Sequence, residues 1–233
     1  MKLFLPIVIL SATIFGCTQK EEYAQYGITG NVKTIIESEY THVTKKFGDW
    51  VPEDTNALHE YQIKRYDTVG NLLERELHIV SSQDLLTGLM KISFNGKKII
   101  RTEIYDEKGA IIDTFNYNYL SEDTYTEIIY NATENAYNKT LVKIDNRRRP
   151  ISYVETKEIQ NKKTTTVIQQ FNYSGDTTLI TYTDKLTGNV TVLKYIAVKK
   201  DKLGNPLTII TVPGNSTDNK PVSIIIRKYE YYH

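Results

Sequence analysis

The chain predicts an all-β fold, an antiparallel meander of repeated hairpins curled into an open sheet or half-barrel. Three observations carry that reading. Apolar and polar residues alternate with period two along most of the chain, aspartate-led turns recur at fixed spacing, and 18 Tyr stand against 6 Phe and 1 Trp. Period two puts successive side chains on opposite faces of a strand. Tyrosine suits a half-wet sheet, with its ring packed and its hydroxyl in water, whereas a fully enclosed core favours Phe, Leu and Ile.

Taken in order, residues 1–16 form a leader, 17–26 a tether, and 27–233 one β domain of roughly a dozen short strands. A first Asp turn, Tyr66-Asp67-Thr68-Val69-Gly70-Asn71-Leu72, is followed by strand-like runs at 72–80, 89–94 and 97–105. Between them, Ser81 to Met90 has Leu85, Leu86 and Leu89 at helical offsets and reads as a short helical turn or a loop. Ile111, Phe115, Tyr117 and Tyr119 then share one face, opposite Asn116 and Asn118. Val167, Phe171 and Tyr173 alternate in the same way against Gln170 and Asn172. Residues 213–221 are the most loop-like stretch, and one strand, Ile224 to Tyr232, follows them. No Pro, Gly or Ser-rich linker divides the domain.

The turns repeat. Asp67, Asp106, Asp145 and Asp184 each fall 39 residues after the last, and Asp201 opens a further copy outside that register. A strand-end aspartate accepts backbone N–H bonds from the residues after it, and a following glycine supplies the positive φ that closes the loop. Gly70, with Asn71 after it, Gly109, Gly188 and Gly204 fill that role; the Asp145 copy has Arg148 in its place. Three strands between successive aspartates would set the turns at alternate ends of the sheet. These Tyr-Asp-x-x-Gly-Asn-aliphatic turns resemble the YD repeats of RHS-like proteins over residues 58–231. That resemblance implies a sheet of hairpins and leaves the function open.

The N-terminus supplies an address. Met1-Lys2, an apolar run from Leu3 to Phe15, and Gly16 before Cys17 have the layout of an export signal. Ile14-Phe15-Gly16-Cys17 resembles the lipobox of bacterial lipoproteins, which implies cleavage before Cys17 and acylation of its thiol. A free thiol or an intermolecular bridge is the competing use of a lone cysteine. A membrane span is excluded, because about 13 apolar residues cannot cross roughly 30 Å of hydrocarbon. Thr18-Gln19-Lys20-Glu21-Glu22 resembles the surface-export signal of Bacteroidota lipoproteins. An outer-membrane lipoprotein on the cell surface is therefore the expectation, with a periplasm-facing one as the alternative.

Chemistry is hard to find. Of 233 residues, 217 remain once 1–16 are removed; Lys2 is the only charge lost, leaving 28 basic and 28 acidic residues. That balance argues against a nucleic-acid partner. Arg147-Arg148-Arg149 reads as a solvated loop. His59 and His78 would face each other if the hairpin turned about 68–69, yet a metal would need a third ligand, so no metal and no cofactor are expected. No Gly-x-Ser-x-Gly elbow or phosphate loop is present. The expectation is a non-enzymatic binding or interaction module, held to the membrane by its N-terminal lipid and meeting a protein or glycan. Tyr117, Tyr119, Tyr125 and Tyr130 are candidate contacts. The alternatives are an assembly subunit using the C-terminal strand as a sheet edge, and a glycan hydrolase with two carboxylates in a cleft.

Overall fold

A computed structural model describes residues 28–54, 57–80, 84–95, 98–131, 135–147, 149–215 and 220–232, with only the backbone of 84–87. The leader, Cys17 and the tether lie outside the described residues. The described residues form sixteen strands: β1 (Val32–Tyr40), β2 (Val43–Lys46), β3 (Asp49–Pro52), β4 (Leu58–Tyr66), β5 (Leu72–Val80), β6 (Asp84–Asn95), β7 (Lys98–Tyr105), β8 (Ile111–Tyr119), β9 (Thr124–Asn131), β10 (Ala136–Ile144), β11 (Pro150–Ile159), β12 (Lys162–Ser174), β13 (Thr177–Asp184), β14 (Val190–Lys200), β15 (Pro206–Pro213) and β16 (Ser223–Tyr231).

The meander is antiparallel, but the sheet is closed. Fourteen strands complete a barrel in which β1 pairs with β16 on one side and β4 on the other. The expected open sheet or half-barrel is therefore corrected. Closure satisfies the two ladders that an open sheet would leave bare. It also removes the C-terminal strand as a free edge, since β16 pairs with both β1 and β15. The hairpin β2–β3 is an excursion from the barrel, which is why β4 resumes beside β1.

Of the stretch expected to turn helically, residues 84–90 lie instead in β6, paired along β5 and β7, and 81–83 lie outside the described residues. Ladder pairing on both sides overrides a three-leucine pattern that has no cap or amphipathic length behind it.

The barrel has an entry end, where the chain arrives at Ile28 and leaves at Tyr232, and a far end. The turns at Asp67, Asp145 and Asp201 lie at the entry end, and those at Asp106 and Asp184 at the far end, with three strands between successive members of the 39-residue series. In each turn the carboxylate takes the predicted bonds. Asp67 Oδ1 accepts from Val69 N at 3.0 Å and Asn71 N at 2.6 Å, and Gly70 stands at φ 89°. Asp106, Asp145 and Asp201 repeat the pattern to the second and fourth residues onward. Asp184, whose loop is one residue longer, accepts from Leu186 and Thr187, with Gly188 at φ 76°.

Register partners share a face, so pairing sorts the walls. The row Arg65, Glu74, Lys91, Glu103 runs across β4 to β7 on the outside. Arg65 pairs with Glu76 and Glu74, Arg101 with Glu103 at 2.8 Å, and Lys139 with Glu158 at 2.7 Å. Charge thus lines the outside of β4 to β7 and of the β10–β11 pair. On β14 to β16 the outer wall is apolar instead, and the β2–β3 hairpin covers it: Val43, Trp50 and Tyr40 pack on Ile210, Val212 and Ile224.

Candidate functional site

The interior is built in two layers. Toward the entry end, Val32, Ile35, Tyr66, Leu72, Ile92 and Ile99 form one apolar cluster. Tyr125, Val142, Ile144 and Tyr153 form a second, and half-buried Tyr117 packs against both. Tyrosine hydroxyls in this floor find partners: Tyr119 accepts from Ile99 N at 3.1 Å and Tyr117 lies 2.9 Å from Thr102 Oγ1.

Above the floor the lining becomes polar. On β1, β4, β5 and β16, the cations Lys64, Arg75 and Arg227 answer the carboxylates Glu37, Glu39 and Glu60. Arg227 holds Glu37 Oε2 through Nη2 at 2.6 Å and Nε at 2.7 Å, with Lys64 Nζ at 3.5 Å. Arg75 donates to Gln62 Oε1 at 2.8 Å, and Gln62 passes the chain on to Glu60 at 2.8 Å. Burial pushes the Glu37 carboxyl up, but Arg227 and Lys64 outweigh it and hold it down at about 2. Glu39 is raised by burial, partly offset by a Ser223 hydrogen bond and reinforced by the charges of Glu60 and Glu37.

The opposite wall is softer. Asn138, Thr140, Glu155 and Lys157 face inward and are half-buried. Burial raises the Glu155 carboxyl. Tyr195 meets the charged wall: its hydroxyl pKa is raised by burial first, then by Tyr182, Glu39 and Glu37. Tyr195 lies opposite Thr211, which lies opposite Ser223, and Tyr182 lies opposite Gln169. Gln169 and Thr211 are 3% and 4% exposed, and Gln169 Nε2 and Thr211 Oγ1 have no hydrogen-bond partner among the described residues. Gln169 and Thr211, each with one hydrogen-bonding atom left over, therefore line the lumen with Tyr182, Tyr195, Ser223 and Glu39.

The sequence singled out other residues. His78 lies opposite Tyr61 and stacks on its ring at 4.2 Å, so it does not face His59. The turn spans Asp67–Asn71 and a register shift falls between Arg65 and Tyr66, which moves the pairing off the assumed centre. No group of three metal-binding side chains exists among the described residues. Tyr125 is 1% exposed and belongs to the floor; Tyr117 and Tyr119 are half-buried inside. Tyr130 alone is exposed, outside, against Tyr137. Arg149 pairs with Asp145 at 2.8 Å and stacks on Tyr173, so it is no free anion site. Arg148 lies outside the described residues.

The convergent residues went unnoticed in the sequence. One signal existed: Arg227 directly follows Ile224-Ile225-Ile226, a charge set into an apolar strand.

Neither a family model nor a curated protein matches the chain. Among solved structures it is similar to a porin-like protein from Bacteroides uniformis ATCC 8492, with a TM-score of 0.48 and 8% identity, over 85% of this chain and 98% of that one.

Proposed function

We propose that this chain is a lipid-anchored, water-facing barrel of the outer membrane, displayed at the cell surface, that binds a polar ligand in the upper lumen without transforming it. The observation that carries the reading is the set Gln169, Tyr182, Tyr195, Thr211, Ser223 and Glu39. A buried donor or acceptor left unmade costs about 1–3 kcal/mol, so two such groups in one lumen favour a site completed by a ligand. Tyrosine faces beside amide, hydroxyl and carboxylate groups suit a glycan. The outer wall supports the tether over a spanning barrel. A membrane barrel shows lipid an apolar band about 25 Å tall, whereas the outside of β4 to β7 carries Arg65, Glu74, Lys91 and Glu103 in one row. Anchoring then falls to acyl chains on Cys17, at about 0.8 kcal/mol per buried methylene.

The test pairs two measurements. Palmitate labelling of wild type against Cys17→Ser checks the anchor. Glycan-array binding of wild type against Gln169→Ala and Thr211→Val checks the site. Loss of binding in both lumen variants, with the β-sheet circular dichroism signal kept, is the expected result; array binding that neither variant changes removes the lumen as the site.

A second reading rests on Glu39 and Glu60, which lie directly opposite each other across β1 and β4. Such partners have Cβ atoms about 4.5–5.5 Å apart, compatible with the carboxylate spacing of retaining glycosidases, about 5–5.5 Å. Its raised pKa would make Glu39 the acid. Release of reducing sugar from a glycan panel, abolished by Glu39→Gln and by Glu60→Gln, would favour this reading over simple binding.

A further inference from the structure

The β2–β3 hairpin has a tip with no role in the barrel. Phe47 is fully exposed and holds φ 52°, an uncommon place for a bulky side chain. Lys46 beside it is exposed too. The hairpin leaves β1 at the far end, but the pairing rows slant. The row Tyr40, Ile224, Ile210, Ile196 starts at the last residue of β1 and reaches the entry half of β14. The hairpin packs along that row and ends near the entry end, where Asp49 pairs with Lys199 at 2.6 Å.

Lys199 stands two residues before the Asp201 turn, and the same turn receives the incoming chain. Thr29 N donates to Asn205 Oδ1 at 2.5 Å, and Thr29 Oγ1 donates to Leu203 O at 2.7 Å. Leu203 is 47% exposed, and Val198 and Lys202 are exposed nearby. One corner of the barrel thus gathers Phe47, Leu203, Val198, Lys46 and Lys202 around the point where the chain departs toward Cys17. Ten residues lie between Cys17 and Ile28, and the eleven Cα steps cap the reach at about 40 Å. The far rim also exposes Leu186 and Val190, but it lies a strand's length from that point.

We infer that the Phe47 tip and the Asp201 turn form a second contact with the bilayer that seats the barrel beside its lipid anchor. Phe47 and Leu203 enter the boundary between headgroups and acyl chains, while Lys46 and Lys202 meet anionic headgroups. A single tether lets a domain tumble; a second contact fixes the entry end down and the polar lumen away from the membrane. This rests on the lipid tether proposed above.

Because Cys17 is the only cysteine, Lys46→Cys and Leu186→Cys each place one spin label on the full lipidated chain. The proteins are reconstituted in vesicles of phosphatidylethanolamine with a minor share of phosphatidylglycerol. Oxygen, which concentrates in lipid, is expected to relax the label at 46 several-fold more than the label at 186, relative to a water-soluble nickel complex. Adding Phe47→Asp returns the label at 46 to the behaviour of 186. A label at 46 as wet as that at 186, on protein that floats with the vesicles, overturns the inference and leaves the tip to a protein partner. A reactive Cys17 thiol together with failure to float removes the tether and overturns the inference with it, whereas a wet label on protein that floats overturns the inference alone.

Discussion

At the entry end the lumen is filled on β1, β4 and β5 by Val32, Ile35, Tyr66 and Leu72, whereas above them Glu37, Arg227, Lys64, Arg75 and Gln62 take inward positions on the same strands and on β16. Both layers are buried, so burial alone does not explain the difference. Apolar packing would have stabilised the upper layer at least as well, since well-packed hydrophobic residues often match or exceed a buried ion pair. The charge is kept where the lumen meets the convergent tyrosines and amides. On the proposed function, the floor serves stability and the upper layer serves the site.

The sharpest way to break this contrast is to remove one member of the upper layer. Arg227→Met leaves Glu37 buried with Lys64 at 3.5 Å as its near counter-charge, and should cost about 3–5 kcal/mol by guanidinium unfolding. The double variant Glu37→Leu with Arg227→Met should recover much of that loss, because both desolvated charges leave together. If the double variant is as stable as wild type yet loses ligand, the charge is there for binding. If it loses stability additively, the layer is structural and the contrast fails.

Acid should separate the layers without mutation. Glu37 titrates at about 2 in the folded chain against 4.5 for an ordinary glutamate. Its contribution is fully present above about pH 4.5 and is lost as pH falls toward 2, a change of about 3 kcal/mol. Glu39, raised by burial, works in the opposite sense, so the net loss should be steeper in Glu39→Gln. The expected result is a fall in unfolding midpoint across that window, smaller in Glu37→Gln, where only the turn and surface carboxylates such as Asp145 and Asp201 still titrate below their ordinary range.

The floor should respond to volume and ignore pH. Val142 has no exposed surface. Val142→Ala removes two methyl groups and leaves a gap, for a loss of about 2 kcal/mol that stays constant from neutral pH to pH 3. A pH-dependent penalty would show that the two layers are coupled through the intervening strands.

Much of the floor and none of the upper site was legible in the sequence, for a physical reason. Turn chemistry is local: Asp67 and Asn71 sit four residues apart, so their bond can be read from the string. The Tyr117 and Phe115 face follows from period two alone. Barrel closure depends on Val32 meeting Tyr231, and the core ion pair joins Glu37 to Arg227 across 190 positions. Alternation says that Glu37 and Glu39 share a face but cannot say that the face is enclosed. The histidine pair failed by a smaller margin, because one register shift after a five-residue turn is enough to set His78 against Tyr61.

The smallest expected effect tests the outside of the same wall. Lys91 is 49% exposed, lies 4.0 Å from Glu74 and sits over the Tyr105 ring at 5.3 Å. In water such a pair contributes less than about 1 kcal/mol, so Lys91→Leu should lower stability slightly or not at all. In lipid the sign reverses, since removing a lysine from the midplane of a membrane barrel gains about 2–4 kcal/mol. A small loss, with the protein staying soluble once its lipid is removed, keeps this row in water and makes the acyl chains necessary. A clear gain measured in bilayers would mean that the charged row faces lipid, and the contrast between floor and lumen would then belong to a spanning pore.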